Sequence, residues 1–305
     1  MVEHTGRSRK GVTGTDAVYS TLHSSPSASS ALAAAVARDF TGADERRDMS
    51  WDTVRLDWDG DIATLTVDRP EALNALNVAT LEAMTKALTE AADDDARTLI
   101  LTGAGDDAFI AGADIEYMKD LSTAEGQAWG ELGHGVADAL ESFPAPTIAA
   151  VNGYAFGGGC EMAIACDLRV ASESAVIGNT EIDLGIIPGW GATQRLPELV
   201  GDETARRMIF LGERLDAQSA AEAGIFGEVV ADEDLEETVD ELAERIAAKP
   251  AVAMRAAKQA LNQRHEGSQT SGLEYEKRAF ASLFGTRDQR EGMEAFVEKR
   301  DPEFE

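Results

Sequence analysis

Lysine is scarce in this chain of 305 residues: seven of its 27 basic side chains are lysine, and they face 56 acidic ones. The resulting net charge of −29 excludes a duplex-coating role, because that work needs a basic footprint to displace counterions. Cysteine is nearly absent. Cys160 and Cys166 cannot frame a disulfide scaffold, so the chain reads as a cytoplasmic protein. The four histidines (His4, His23, His134, His265) lack metal-ligand spacing, and neither His-Glu-x-x-His nor Gly-x-Ser-x-Gly occurs. Zincin and serine-hydrolase readings therefore have no support. No apolar run approaches the ~18–20 residues of a membrane span. What is present is a 44% apolar composition, enough for a sizeable core and against wholesale disorder. The length fits two average domains of about 150 residues or one large α/β domain.

The charge is uneven. Residues 1–48 carry six acids and six bases, so the whole net charge falls on residues 49–305, with 50 acids and 21 bases. Such a surface repels itself in dilute buffer and favours solubility in concentrated salt. A halophilic host with a very salty cytoplasm is the expectation, and an ordinary acidic protein is the alternative. Residues 1–48 are rich in Ser, Thr, Ala and Gly without a sustained period. They are expected to be a disordered tail or a misassigned start, with Met49 as the true start and a targeting presequence as the alternative. The apolar Ala31–Ala37 stretch is too short and too far from Arg7–Lys10 for a signal peptide.

From Trp51 the pattern becomes regular. Ile62–Val67 alternates like a strand and stops at Arg69-Pro70. Asn77 is placed to cap a helix with Leu81, Met84 and Leu88 on one face, ending at Asp93-Asp94-Asp95. Thr98–Leu101, Thr147–Val151 and Leu168–Ala171 read as further strands, an alternation that predicts an α/β architecture. Beyond Asp202 the strand signal nearly vanishes, and 203–211, 216–223, 234–248, 250–264 and 273–284 read as helices. The division is thus 49–202 as an α/β core and 203–305 as a helical subdomain.

Three segments can carry chemistry. Gly157-Gly158-Gly159-Cys160-Glu161 follows a strand and opens an apolar helix. Glycines there let backbone N–H groups approach an anion, and the helix N-terminus adds partial positive charge. A tight turn that needs glycine only for packing would use the same run. The loop Phe109-Ile-Ala-Gly112-Ala113-Asp114 could present a second donor, as oxyanion holes require; equally, Asp114 could simply cap the next helix. Glu161 lies in an apolar stretch where a carboxylate is costly to bury, and Glu181 follows twenty residues later. The two could share acid and base work if the fold brings them together, or each could be a salt-bridged structural residue. Cys160, with no histidine in its motif, reads as a small core residue. Trp129, Phe143 and Trp190 are either pocket walls or core.

Taken together, these segments resemble the enoyl-CoA hydratase/isomerase (crotonase) superfamily over roughly residues 51–300. The resemblance rests on Asp68-Arg-Pro-Glu-Ala-Leu-Asn-Ala-Leu76, Phe109-Ile-Ala-Gly-Ala-Asp-Ile115 and Ala149-Ala-Val-Asn-Gly-Tyr-Ala-Phe-Gly-Gly-Gly-Cys-Glu161. It continues through Thr180–Leu196, which ends Gly191-Ala-Thr-Gln-Arg-Leu196, and Arg290-Glu-Gly-Met-Glu-Ala-Phe-Val-Glu-Lys-Arg300. It implies an α/β fold, a crotonase-like spiral of β-β-α turns forming two nearly perpendicular sheets. A C-terminal helical trimerisation subdomain would build a homo-trimer or a hexamer of paired trimers. It implies an acyl-CoA thioester substrate, with no metal and no cofactor, since coenzyme A is part of the substrate, and neither nucleic acid nor membrane as partner.

By motif position, the resemblance makes the N–H groups of Ala113 and Gly158 the oxyanion hole and Glu161 and Glu181 the catalytic pair. Ala72, Leu73, Asn74, Ala75 and Leu76 would line the coenzyme A site with their backbone, and Asp114, Ile115 and Gly189 would complete the substrate contacts. Keeping both glutamates favours hydration of a trans-2-enoyl-CoA, with Glu161 as base toward water and Glu181 delivering the proton to Cα. A Δ3,Δ2-enoyl-CoA isomerase using Glu181 alone, or a bifunctional enzyme, is the alternative. Other acyl-CoA chemistry and an inactive member that binds RNA or protein are further ones. One departure stands out: Glu116 occupies the place where family members often carry a lysine near the coenzyme A phosphates, leaving Lys119 as a substitute.

Overall fold

The computed structural model describes residues 48–305, so the expectations for the N-terminal tail, Asp48 apart, lie outside the described residues. Eleven strands follow in order: β1 (Met49–Trp51), β2 (Val54–Asp59), β3 (Ile62–Val67), β4 (Thr98–Gly103), β5 (Ala108–Ile110), β6 (Thr147–Val151), β7 (Tyr154–Phe156), β8 (Leu168–Ser172), β9 (Val176–Gly178), β10 (Arg214–Asp216) and β11 (Glu228–Val230). Seven form one sheet in the order β1-β2-β3-β4-β6-β8-β11, and four form a second in the order β10-β9-β7-β5. From β3 to β11 the large sheet is parallel.

The connections make a spiral. β4, β6 and β8 each enter the large sheet, and the strand after each (β5, β7, β9) enters the small one. A helix then returns the chain: Thr123–Glu141, Gly158–Ala165 and Ala192–Val200 respectively. The β-β-α turn is therefore the repeating unit.

Both faces of the central strands are covered, which is why β4 and β6 are nearly continuous apolar runs. Leu99, Leu101, Ala149 and Val151 point into the main core, which the helix Val78–Asp93 closes with Leu81, Met84 and Leu88. Ile100, Ile148, Ala150 and Val170 point the other way, onto Leu235, Val239 and Ala243 of the helix Leu235–Ala247. Asn77 caps its helix as expected, accepting from Thr80 N at 2.9 Å.

The segment beyond Asp202 differs from its sequence pattern in two respects: it has a further helix, Arg287–Glu298, and it supplies strands. β10 pairs with β9 and β11 with β8, so it contributes an edge strand to each sheet. Three-residue strands carry too little alternation to stand out by periodicity. Its later helices are Ala251–Glu266, Gln269–Leu283 and Arg287–Glu298. Buried Lys258 fastens the first of these to the core, pairing with Asp167 at 2.7 Å and donating to the carbonyls of Leu140 and Ala145. Among the described residues no helix is long and apolar enough to cross a membrane.

Candidate active site

The glycine run is demanded by its surroundings. Gly157 has φ +51° and ψ −118°, a backbone state that side chains exclude. A Cβ on Gly158 would stand 2.2 Å from the Trp190 ring, and one on Gly159 would stand 1.8 Å from the Ile110 carbonyl oxygen. Packing and chemistry thus ask for the same residues. Gly158 is the first residue of the Gly158–Ala165 helix, where backbone N–H groups have no intrahelical acceptor.

Ala113 comes to the same place from another loop. It forms an isolated parallel bridge with Leu76, in which Leu76 N–H donates to Gly112 O at 2.9 Å and Asp114 N–H donates to Leu76 O at 2.8 Å. In a parallel bridge the flanked residue turns its own N–H to the opposite side. Among the described residues no backbone or side-chain acceptor takes the Ala113 N–H.

A cavity of about 500 Å³ joins these groups: Ala113, Gly158, Glu161 and Glu181 all line it, with Ile115 and Gly189 beside them. Glu161 is 2% exposed, and its Oε1 accepts from Trp190 N at 2.7 Å and Ala192 N at 3.0 Å. Burial, with a smaller push from nearby Glu181, raises its pKa to about 7 against the pull of those amides. Glu181 is also raised by burial. Its Oε1 accepts from Asn179 Nδ2 at 3.4 Å, while Oε2 is buried without a hydrogen-bond partner. The donors of the two carboxyls differ: two backbone amides meet Glu161 Oε1, whereas Glu181 Oε2 meets none.

The remaining expected contacts sit elsewhere. Ala72–Leu76 and Asp114 are off the cavity wall. Asn74 is fully buried, its amide donating to Ala104 O and Ala108 O and accepting from Arg69 N, so its side chain braces the loop. It and Leu73 hold positive φ of 57° and 49°. Asp114 caps the helix Ile115–Met118 and pairs with Arg69 at 3.6 Å. Glu116 and Lys119 pair with each other in solvent.

Trp129 and Trp190, undecided between wall and core, are both: each is buried, they meet edge to face at 5.3 Å, and both line the cavity. Phe143 is core. Sequence reasoning missed Phe156, Gly126 and Gly130 on the wall. Its available signal was the glycine density of the helix Thr123–Glu141, since a Cβ at 126 or 130 would meet only open space. Among the described residues no cluster of three or more His, Cys, Asp or Glu is arranged to hold a metal ion.

Known proteins resemble this chain over most of its length. Residues 58–305 match the family described as enoyl-CoA hydratase/isomerase. A short-chain-enoyl-CoA hydratase from Clostridium acetobutylicum is 44% identical over 83% of this chain and 97% of its own length. A crotonyl-CoA hydratase from Syntrophomonas wolfei is 43% identical over 84% of this chain and 99% of its own. The crystal structure of an enoyl-CoA hydratase from Bacillus anthracis superposes with a TM-score of 0.80 at 38% identity, covering 83% of this chain and 98% of that one. With that identity, that coverage and a spiral of the same build, the chain belongs to the enoyl-CoA hydratase/isomerase family.

Proposed function

We propose that this protein is an enoyl-CoA hydratase, adding water reversibly across the 2,3 double bond of a trans-2-enoyl-CoA, with crotonyl-CoA as the first substrate to assay. The observation that carries the reading is the meeting of two buried glutamates and two unaccepted N–H groups on one cavity. The N–H groups of Ala113 and Gly158 polarise the thioester carbonyl and hold the enolate-like charge that grows as water adds. One such donor contributes about 3–4 kcal/mol to lowering the barrier. Glu161 takes a proton from water as its oxygen bonds to Cβ, and Glu181 gives its proton to Cα. In dehydration the roles reverse. The coenzyme A portion runs along the backbone of Ala72–Leu76, beside the Leu76–Ala113 bridge.

Several finer properties belong to the same proposal. The enzyme assembles as a trimer or a dimer of trimers, which the exposed apolar side chains of its C-terminal helices support, among them Leu261, Phe280 and Phe296. It works in a cytoplasm, in keeping with two buried free thiols, and in high salt, in keeping with the net charge of −29.

The test is Glu161→Gln and Glu181→Gln. Each is expected to lower crotonyl-CoA hydration by about 10²–10⁴-fold, the scale of a lost acid or base. Turnover at the unsubstituted rate in either variant sinks the assignment. An isomerase would instead create the conjugated thioester absorbance from a 3-enoyl substrate, and would tolerate the change at Glu161.

A further inference from the structure

Glu181 is held by a chain of buried contacts that the hydration chemistry does not by itself require. Asn179 is fully buried, and its two polar ends are committed differently. Its Oδ1 accepts from the Cys160 thiol at 3.3 Å, and its Nδ2 donates to Glu181 Oε1 at 3.4 Å. Cys160 is also fully buried. Oε1 also faces Gly157, where an added Cβ would lie 3.3 Å from it. Glu181 Oε2 has no such partner.

From this we infer that Asn179 is a positioning residue for Glu181, and that the Cys160 thiol fixes the direction of the Asn179 amide. An amide can turn either end toward a carboxyl group. Turned the wrong way, Asn179 would set a carbonyl oxygen against Oε1. The thiol donor occupies Oδ1 and leaves Nδ2 for Glu181. With Oε1 accepting, the acid proton resides on Oε2, which has no other hydrogen-bond partner. When that proton passes to Cα, the carboxylate formed keeps its Asn179 hydrogen bond. Cys160, which reads from sequence as an inert core residue, thereby acts on the site two contacts away. The inference rests on the proposed role of Glu181, which hydration and isomerisation share.

The test compares Asn179→Leu, Cys160→Ala and Cys160→Ser in the full-length protein, reading kcat, KM, the pH profile of kcat and the melting temperature. Other titratable and charged groups around Glu181 are Glu161 and Cys160 on the Gly158–Ala165 helix, Asp183 on its own turn, the Arg207–Glu213 pair, and Arg214 stacked on Phe156 at 4.7 Å. None of these hydrogen-bonds the Glu181 carboxyl. Asn179→Leu is expected to lower kcat roughly 10–100-fold, the effect of losing a hydrogen bond to a charged group, with KM nearly unchanged. Its alkaline limb should move to higher pH, because the lost donor favoured the carboxylate. Cys160→Ser, which keeps a donor, should retain kcat, whereas Cys160→Ala should lower it.

A kcat loss in Asn179→Leu without movement of the alkaline limb would mean a packing role and overturn the inference. Equal kcat in Cys160→Ser and Cys160→Ala overturns the part assigned to the thiol. If Asn179→Leu does not fold, the two Cys160 variants decide alone, since they leave the amide in place. If the unsubstituted protein isomerises 3-enoyl-CoA and does not hydrate crotonyl-CoA, the hydratase reading falls, and the same comparison is made on the isomerase rate.

Discussion

The helix Gly158–Ala165 and the three helices between Ala251 and Glu298 are built on opposite terms. All eight residues of the first are buried, whereas the other three together bury only Lys258, Asp288 and Ala295. The first is fixed from every side: the Trp190 ring, the Ile110 carbonyl and the core beneath it leave no freedom. The C-terminal helices instead turn apolar side chains outward, Phe296 being 84% exposed. The helix Gly158–Ala165 is locked within one chain, while the C-terminal helices leave apolar surface uncovered in it.

That contrast can be broken at its rigid end first. Gly159→Ala forces a Cβ into the Ile110 carbonyl, where backbone has to move. A loss of at least about 3 kcal/mol is expected by denaturant unfolding, together with loss of turnover. A melting curve like the unsubstituted one would show that the helix can shift after all.

The next effect depends on pH. Glu161 has its pKa raised to about 7 against 4.5 for the free side chain, so the folded protein holds that proton to higher pH than the unfolded chain. Its contribution to stability is then fully present below about pH 4.5, is lost as pH rises toward 7, and amounts above 7 to a cost of about 3 kcal/mol. Glu161→Gln should match the unsubstituted protein near pH 4 and exceed it by up to that amount near pH 9, while lacking activity. In the active protein, hydration should fall as pH drops through about 7, where the base becomes protonated.

At the join between the two regions the effect is smaller. Lys258→Met leaves Asp167 without its cation, but that carboxylate is partly exposed and still accepts from Thr147 N and Oγ1. A loss of about 2 kcal/mol is expected, below the usual range for a fully buried pair. At the outward end, Phe296→Ser should change monomer stability by no more than about 0.5 kcal/mol, yet shift the protein toward monomer in light scattering. An unchanged oligomer would move the association surface elsewhere.

How much of this was readable beforehand depends on element length. β3 and β6 were legible to the residue, because five or six positions display a period and a boundary. None of the second sheet was, since its strands β5, β7, β9 and β10 have three residues each and are held by partners distant in sequence. The glycine run and both glutamates stood out as chemical anomalies in apolar surroundings. Their meeting in one cavity did not, because it requires the spiral. Nor could Asn179 be singled out: an asparagine two residues before a glutamate is ordinary until a thiol is found against its other end.

The closing strand of the large sheet comes late. During synthesis, β8 is complete at Ser172, but its neighbour β11 starts at Glu228. At about 5–20 residues per second, the intervening stretch takes roughly 3–11 s to be made. Without β11, β8 is an open, parallel sheet edge, the kind of edge that recruits stray strands. A strand that pairs from so far downstream leaves β8 as an edge until the chain through Val230 has been made.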